Sequence, residues 1–344
     1  MHFDMENIKM IIGMLESDSY KDEFLSKRKV EEQRISNLPY KTRYDFQSLE
    51  KYIPVGCPVS KTSGSTGIPV IIPKTDESEI WHCITNYREL LWRNWDINKV
   101  IVIILAKIKK DEIKGSIHSW KITALRDIQQ KLEELKPSYL YTYPSIVSYL
   151  DLSRIPSIID IKTVGEIGGT NYSCEEAGTI ALQCPNYPEN YHIMENILVE
   201  NHLTYGAVIT DLSNPYVTRY IIGDKIETSN ETCPCGRLLP VIKKIYGRVR
   251  NMLVLPNGDK VWPTVGEPLF RTKVSNKIRR HQIIQKNLYD LEIRVELDDD
   301  LTKSEIKSLE NLVLENLGYE HLKCNVIKVD EFPPGKFEAF KSEL

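Results

Sequence analysis

The sequence predicts an α/β protein: a large N-terminal α/β domain that carries a β-rich subdomain, then a small C-terminal α+β domain. Three observations predict it. Strand-like and helix-like runs alternate from residue 69 to 164, short β-rich segments crowd residues 197–226, and a hairpin with mixed strands and a helix fills the chain after Arg248. The boundary near Arg248 divides the chain into residues 1–247 and 248–344.

Residues up to about 52 read as helical and polar, and Pro39 and Pro54 punctuate the approach to a Gly/Ser/Thr-rich loop. Pro69-Val-Ile-Ile-Pro73 behind the loop is strand-like. Residues 79–95 space their apolar side chains as an amphipathic helix, 100–105 form a buried strand, and 122–135 a second helix stopped by Pro137. Strands at 139–143 and 161–164 complete an alternation that calls for a sheet covered by helices. The segments 197–200, 207–211 and 220–222 are short strands, two of them parted by Ser213, Asn214 and Pro215. Beyond Arg248, residues 252–255 and 260–262 flank Pro256-Asn-Gly-Asp259 as a hairpin, and 291–297 alternates as a half-exposed strand. Thr302, Glu305 and Gly318 mark the start and end of a helix over 302–317.

Composition excludes several classes. With 344 residues, 41% hydrophobic and 27% charged, the chain buries a sizeable core and is neither disordered nor fibrous. A net charge of -3 gives no excess of cations for a nucleic-acid scaffold, and Arg279-Arg280 reads as solvated surface. Residues 1–17 lack a secretory pattern, and the longest apolar run, 100–106, falls short of the ~20 residues that span a bilayer. A cytoplasmic protein with no membrane partner is expected, its seven cysteines mostly thiols.

Thr62-Ser63-Gly64-Ser65-Thr66-Gly67 sets hydroxyls and glycines between two strand-like runs, so N–H and O–H groups converge on an anion with no Cβ in the way. Phosphate is the natural ligand; alone, the loop also fits a flexible linker. The Lys and Ser/Thr of the Walker pattern do not follow it. Further along stand Tyr172-Ser-Cys-Glu-Glu176-Ala-Gly178, Tyr220-Ile-Ile-Gly223-Asp224, Gly247-Arg248-Val-Arg250 and Phe332-Pro-Pro-Gly-Lys336-Phe337. Cys184, His192 and Cys233-Pro-Cys235 supply four soft or borderline ligands suited to a closed, structural, tetrahedral Zn²⁺ site; unrelated thiols and a surface histidine are the alternative.

In this order, the motifs resemble those of the adenylate-forming superfamily of acyl-CoA synthetases, luciferases and adenylation domains. Val208-Ile-Thr-Asp-Leu212, Arg219-Tyr220, Cys233-Pro-Cys-Gly-Arg237 and Tyr143-Pro-Ser145 are most similar to the phenylacetate-CoA ligase branch. The resemblance implies ATP-dependent conversion of a small carboxylic acid to an acyl-AMP, with Mg²⁺ bridging the phosphates, then transfer to a thiol, coenzyme A first. Transfer to an amine or a carrier protein, or a degenerate ATP-binding regulatory protein, are the alternatives. It further implies the loop 62–67 on the phosphates, Tyr172 on adenine, and Glu176 helping to hold Mg²⁺. Asp224 and Arg248 would meet the ribose, Arg250 would be the pivot of a mobile C-terminal lid, and Lys336 the catalytic cation. Two features depart from the family: only about 60 residues precede the loop, and the interval from Gly165-Glu166 to Tyr172 is short, as though a core helix were missing beside the acyl pocket. Of the other histidines, His82 reads as helical, His118 as a loop residue, and His202, His281 and His321 as exposed.

Overall fold

The computed structural model describes residues 5–49, 53, 55–61, 70–166, 168–229, 231–248, 252–261, 270, 273–317, 321–332 and 339–344. Helices α1 (Met5–Leu15), α2 (Asp18–Ile35) and α3 (Arg43–Leu49) lead to a hairpin of β1 (Val59–Lys61) and β2 (Ile71–Pro73). Helix α4 (Asp76–Trp92) starts on a reciprocal cap: Ser78 N–H donates to Thr75 Oγ1 at 3.1 Å and Thr75 N–H to Ser78 Oγ at 3.0 Å. Asp76, Glu77 and Glu79 in its first turn complement the helix dipole.

Strands β3 (Ile101–Ile104), β4 (Glu112–Lys114), β5 (Ile117–Trp120), β6 (Tyr139–Thr142) and β7 (Asp160–Thr163) form one sheet in the order β4-β5-β3-β6-β7. All its pairings are parallel except that of the edge strand β4. Helix α5 (Leu125–Leu135) crosses between β5 and β6 and buries Leu125, Ile128 and Leu132, spaced three and four apart, against Val102, Ile104 and Leu140. The short α6 (Pro144–Val147) follows β6. The β4–β5 hairpin corrects the sequence reading: Gly115, at φ +59°, turns the chain where a loop was expected. His118 is therefore a half-buried strand residue, paired with Val102 and Ile113.

Only residues 164–170 lie between β7 and the next strand, β8 (Asn171–Cys174). A Cβ on Gly169 would sit 3.2 Å from the carbonyl oxygens of Thr163 and Glu166, so a side chain there would require this backbone to give by a few tenths of an ångström. A buried ion pair braces it. Lys162 of β7 lies 2.6 Å from Glu89 of α4, and Asn171 Nδ2 donates to the same carboxylate at 3.0 Å. Removing one member of such a pair strands the other charge, typically at a cost of about 3–5 kcal/mol.

The β-rich portion continues with β9 (Gly178–Gln183), β10 (Tyr191–Ile193), β11 (Ile197–His202), β12 (Gly206–Asp211), β13 (Tyr220–Ile221), β14 (Asp224–Ser229) and β15 (Val241–Arg248). One antiparallel sheet has the order β14-β15-β10-β9-β8, and a second the order β11-β12-β13. Ile180, Leu182, Ile193, Ile209, Ile226 and Ile242 pack between them, with Phe46, Ile72 and Trp92 arriving from α3, β2 and α4.

A separate apolar core gathers residues from Leu253 onward. It lies among β16 (Leu253–Val254), β17 (Lys260–Val261), β18 (Ile278–Gln285), β19 (Asp290–Leu297), α7 (Lys303–Leu317), β20 (Lys323–Val329) and β21 (Phe340–Ser342), with sheet order β20-β19-β18-β21. Helix α7 has the cap read from sequence: Glu305 N–H donates to Thr302 Oγ1 at 3.2 Å and Thr302 N–H to Glu305 Oε2 at 2.7 Å. Two expectations fail here. Arg280 and His281, read as surface, are each only 3% exposed on β18. Among the described residues no helix is long and apolar enough to cross a membrane.

His281 packs edge-on against Phe270, and burial holds its imidazole down at about 4. The unfolded chain, near 6.5, takes up the proton first as pH falls, so this contribution is intact above about 6.5 and is lost toward 4. Between those limits the protein should lose up to about 3 kcal/mol of stability relative to a His281→Leu variant. Parallel denaturant titrations across that range check this; a difference independent of pH would mean the ring is solvated.

Candidate active site and metal centre

The loop 62–67 lies outside the described residues, but the strands on either side of it are paired. Lys61 on β1 pairs with Ile71 on β2, and Ser60 with Ile72. The hairpin is bolted to the rest of the protein by hydroxyl, amide and ammonium groups. Thr75 Oγ1 donates to Ser213 O at 2.7 Å and Asn214 Nδ2 to Pro73 O at 3.0 Å. Ser60 Oγ donates to Glu175 O at 3.2 Å, while Lys74 Nζ donates to Glu175 O at 3.2 Å and Glu176 O at 3.4 Å. The hairpin that flanks the loop thus lies directly beside the β8–β9 turn that carries Glu176. Sequence reading missed Lys74; its signal was a cation immediately behind the strand that leaves the loop.

Two tyrosine hydroxyls join the remaining motifs. Tyr172 donates to Asp224 Oδ2 at 2.8 Å, and Tyr220 donates to Glu176 Oε1 at 2.8 Å. All four residues are at most 8% exposed. Burial first, and then the Glu176 charge, push the Tyr220 hydroxyl far above its ordinary range, so it stays a donor. Glu176 therefore sits buried in the β8–β9 hairpin turn.

The Tyr172–Asp224 bond spans the sheet. Its strands β8 and β14 are the two edges of a five-stranded order, about 19 Å apart if the sheet were flat. A tyrosine cannot reach that far, so the sheet must curl on itself. Register breaks supply the curvature: one lies at Tyr172/Ser173, and two in β14 at Lys225/Ile226 and Glu227/Thr228. Arg248 is the register partner of Asp224 on β15. The structure thus gathers Tyr172, Glu176, Tyr220, Asp224 and the backbone of Arg248 around the ends of the loop. Arg250 and Lys336 lie outside the described residues. Glu166 turns toward α6, accepting Ser145 N–H and Ser145 Oγ at 2.8 Å each.

Cys184, His192, Cys233 and Cys235 converge at the other end of β14. Their ligand atoms all lie within 4.8 Å of one another. Cys235 Sγ is 3.3 Å from His192 Nε2 and Cys233 Sγ 3.9 Å from Cys184 Sγ. A disulfide would need about 2.05 Å, whereas a tetrahedron with arms of about 2.3 Å has edges near 3.8 Å. The spacing and the soft donor set fit a tetrahedral cation. Burial pushes the Cys184 thiol up to about 11 and His192 down to about 4, so the imidazole presents a neutral nitrogen. Asn190 Nδ2 donates to Cys233 Sγ at 3.1 Å, a partner from outside the four.

Tyr220→Phe removes only the donor to a buried carboxylate. It should destabilise the protein by about 1–3 kcal/mol, and adding Glu176→Gln should recover part of the loss. Thermal melting of the two single variants and the double variant measures the coupling; additive effects would break the pairing.

No protein-family model matches the chain, and no curated protein matches its sequence. Solved structures do match its shape. Against 2-hydroxyisobutyryl-CoA ligase in the postadenylation state the TM-score is 0.68 at 16% identity, over 89% of this chain and 79% of that one. The same ligase with 2-HIB-AMP and CoA in the thioesterification state gives 0.50, over 90% and 81%. This chain therefore superposes better on the former. O-succinylbenzoate coenzyme A synthetase from Bacillus subtilis, in complex with AMP, gives 0.53 at 11% identity over 81% and 66%. The amide bond synthetase McbA from Marinactinospora thermotolerans gives 0.55 at 13% over 85% and 70%. The chain shares its fold with these ligases and synthetases.

Proposed function

We propose that the protein is an AMP-forming ligase that activates a small carboxylic acid with ATP and passes the acyl group to a thiol, coenzyme A first. The observation that carries this reading is the convergence of Tyr172, Glu176, Tyr220 and Asp224, drawn from distant motifs, beside the fixed ends of the loop 62–67. In the first half-reaction a carboxylate oxygen attacks the α-phosphorus and the bond to the β-phosphate breaks, releasing pyrophosphate. In the second, a thiolate attacks the acyl carbon and AMP leaves.

Each residue has a task in that sequence. Thr62, Ser63, Gly64, Ser65, Thr66 and Gly67 offer N–H and O–H donors to the β- and γ-phosphates. The Tyr172 ring lies against adenine, and its hydroxyl orients the Asp224 carboxylate that accepts the ribose hydroxyls, with Arg248 alongside. Glu176, oriented by Tyr220, helps hold Mg²⁺, which offsets phosphate charge when bound. Lys336 brings an ammonium to the oxygens where charge builds at the α-phosphorus. Residues 248–344 act as a lid on residues 1–247, turning about Arg250 between the half-reactions. The Cys184, His192, Cys233 and Cys235 cluster holds structural Zn²⁺, pinning the β14–β15 loop to β9 and β10. The cytoplasm, which keeps such thiols reduced, suits this chemistry.

Acyl transfer to an amine is the second reading, favoured by the likeness to an amide bond synthetase. A screen of aryl, amino and short aliphatic acids for pyrophosphate release, with and without coenzyme A, separates the two. Lys336→Ala should slow carboxylate-dependent pyrophosphate exchange at least about 10²-fold while ATP binding persists; unchanged exchange would remove its role. Purified protein should hold about one zinc per chain, and Cys233→Ser should lose it and melt earlier. Wild-type protein free of metal by elemental analysis would reject the site.

A further inference from the structure

Two buried residues fix the root of the Lys336 loop. Phe332, four residues before Lys336, donates its N–H to Glu296 Oε2 at 3.1 Å, and Arg280 Nη1 donates to the Phe332 carbonyl at 3.4 Å. The Arg280 guanidinium also lies over the Phe332 ring, 5.4 Å from its centroid. Glu296 and Arg280 are 1% and 3% exposed, so the strands β18 and β19 hold this peptide from inside. At about 3.5 Å per extended residue, Lys336 is confined to within about 14 Å of that anchor.

The other oxygen of Glu296 leaves the C-terminal core. Glu296 Oε1 accepts the hydroxyl of Tyr149, a half-buried residue just past α6 and thus in the N-terminal portion. Arg279 of β18, paired with Asp298, lies over the same tyrosine ring at 5.9 Å and donates to its hydroxyl at 3.5 Å. Around this contact the two portions stand apart: a cleft of about 790 Å³ lies between Leu125, Gln129 and Ser148 on one side and Arg279 and Asp298 on the other. A small polar contact bordered by open space is made and broken at far lower cost than a fused apolar interface.

We propose that Tyr149 and Glu296 form a latch that holds the root of the Lys336 loop against the N-terminal portion for the adenylation half-reaction and releases it for acyl transfer. One carboxylate bonds both the loop and the opposite portion, so loop position and portion contact are set together. Tyr149, Glu296 and Arg280 are positioning residues. The assignment rests on the role given to Lys336 and on the nearness of this arrangement to the postadenylation rather than the thioesterification state.

Tyr149→Phe deletes the hydroxyl and keeps the ring. In the full chain without ligand, hydrogen exchange in peptides covering 145–150 and 326–332 should accelerate several-fold, with 180–183 in the β-rich core unchanged. With an acid found in the screen, single-turnover pyrophosphate release should slow about tenfold, the worth of one hydrogen bond to a charged acceptor. Transfer from supplied acyl-AMP to coenzyme A should stay within about twofold. Unchanged exchange at 326–332, or equal slowing of both half-reactions, overturns the latch. If the wild-type protein releases no pyrophosphate with any acid, the activity reading fails and hydrogen exchange alone decides the contact.

Discussion

The hydrogen bond from Tyr172 to Asp224 is the constraint on which the rest of the site depends. It joins the two outermost strands of a five-stranded sheet, so it exists only if that sheet is curled, and curling draws in the turn carrying Glu176 and the strand carrying Arg248. The register breaks in β8 and β14 lie within a residue or a few of these two side chains, where extra curvature is needed. Neither side chain needs to be strong by itself. Buried and mutually satisfied, they exclude the water that would otherwise compete for the carboxylate.

A second brace works on the other side of the molecule. Glu89 faces Lys162, Thr170 and Asn171 at once, so helix α4, the parallel sheet and the curled sheet share one buried charge centre. The Lys162 ammonium also stands 4.4 Å from the centre of the Tyr141 ring. With the tight passage at Gly169, this ties the parallel sheet closely to the curled one.

Much of this was legible in the sequence, for physical reasons that differ by element. Helix α7 was readable because its cap is local: Thr302 and Glu305 are three residues apart and bond each other. The cysteine and histidine cluster was readable because few chemistries other than metal binding require that donor set. Arg280 was not, because an arginine beside another reads as surface, and its partner Phe332 is 52 residues away. His281 failed for the same reason, its packing against Phe270 being invisible to local pattern. The β4–β5 hairpin was missed because Glu112 and Lys114 have the charged composition of a loop, which an edge strand tolerates. The pairing of Tyr220 with Glu176 lay between motifs whose order was readable but whose mutual geometry was not.

Strand β15 has a mechanical consequence. Its eight residues extend about 26 Å from the end nearest Cys235 to Arg248, bonded to β14 on one side and to β10 on the other near Val241 and Ile242. At Val241 and Ile242 the strand is held on both sides; toward Arg248 its pairing is with β14 alone. Strand β15 thereby joins two corners in one ladder: Arg248 pairs with Asp224 at one end, and Val241 pairs with Ser229 beside the Cys184, His192, Cys233 and Cys235 corner at the other.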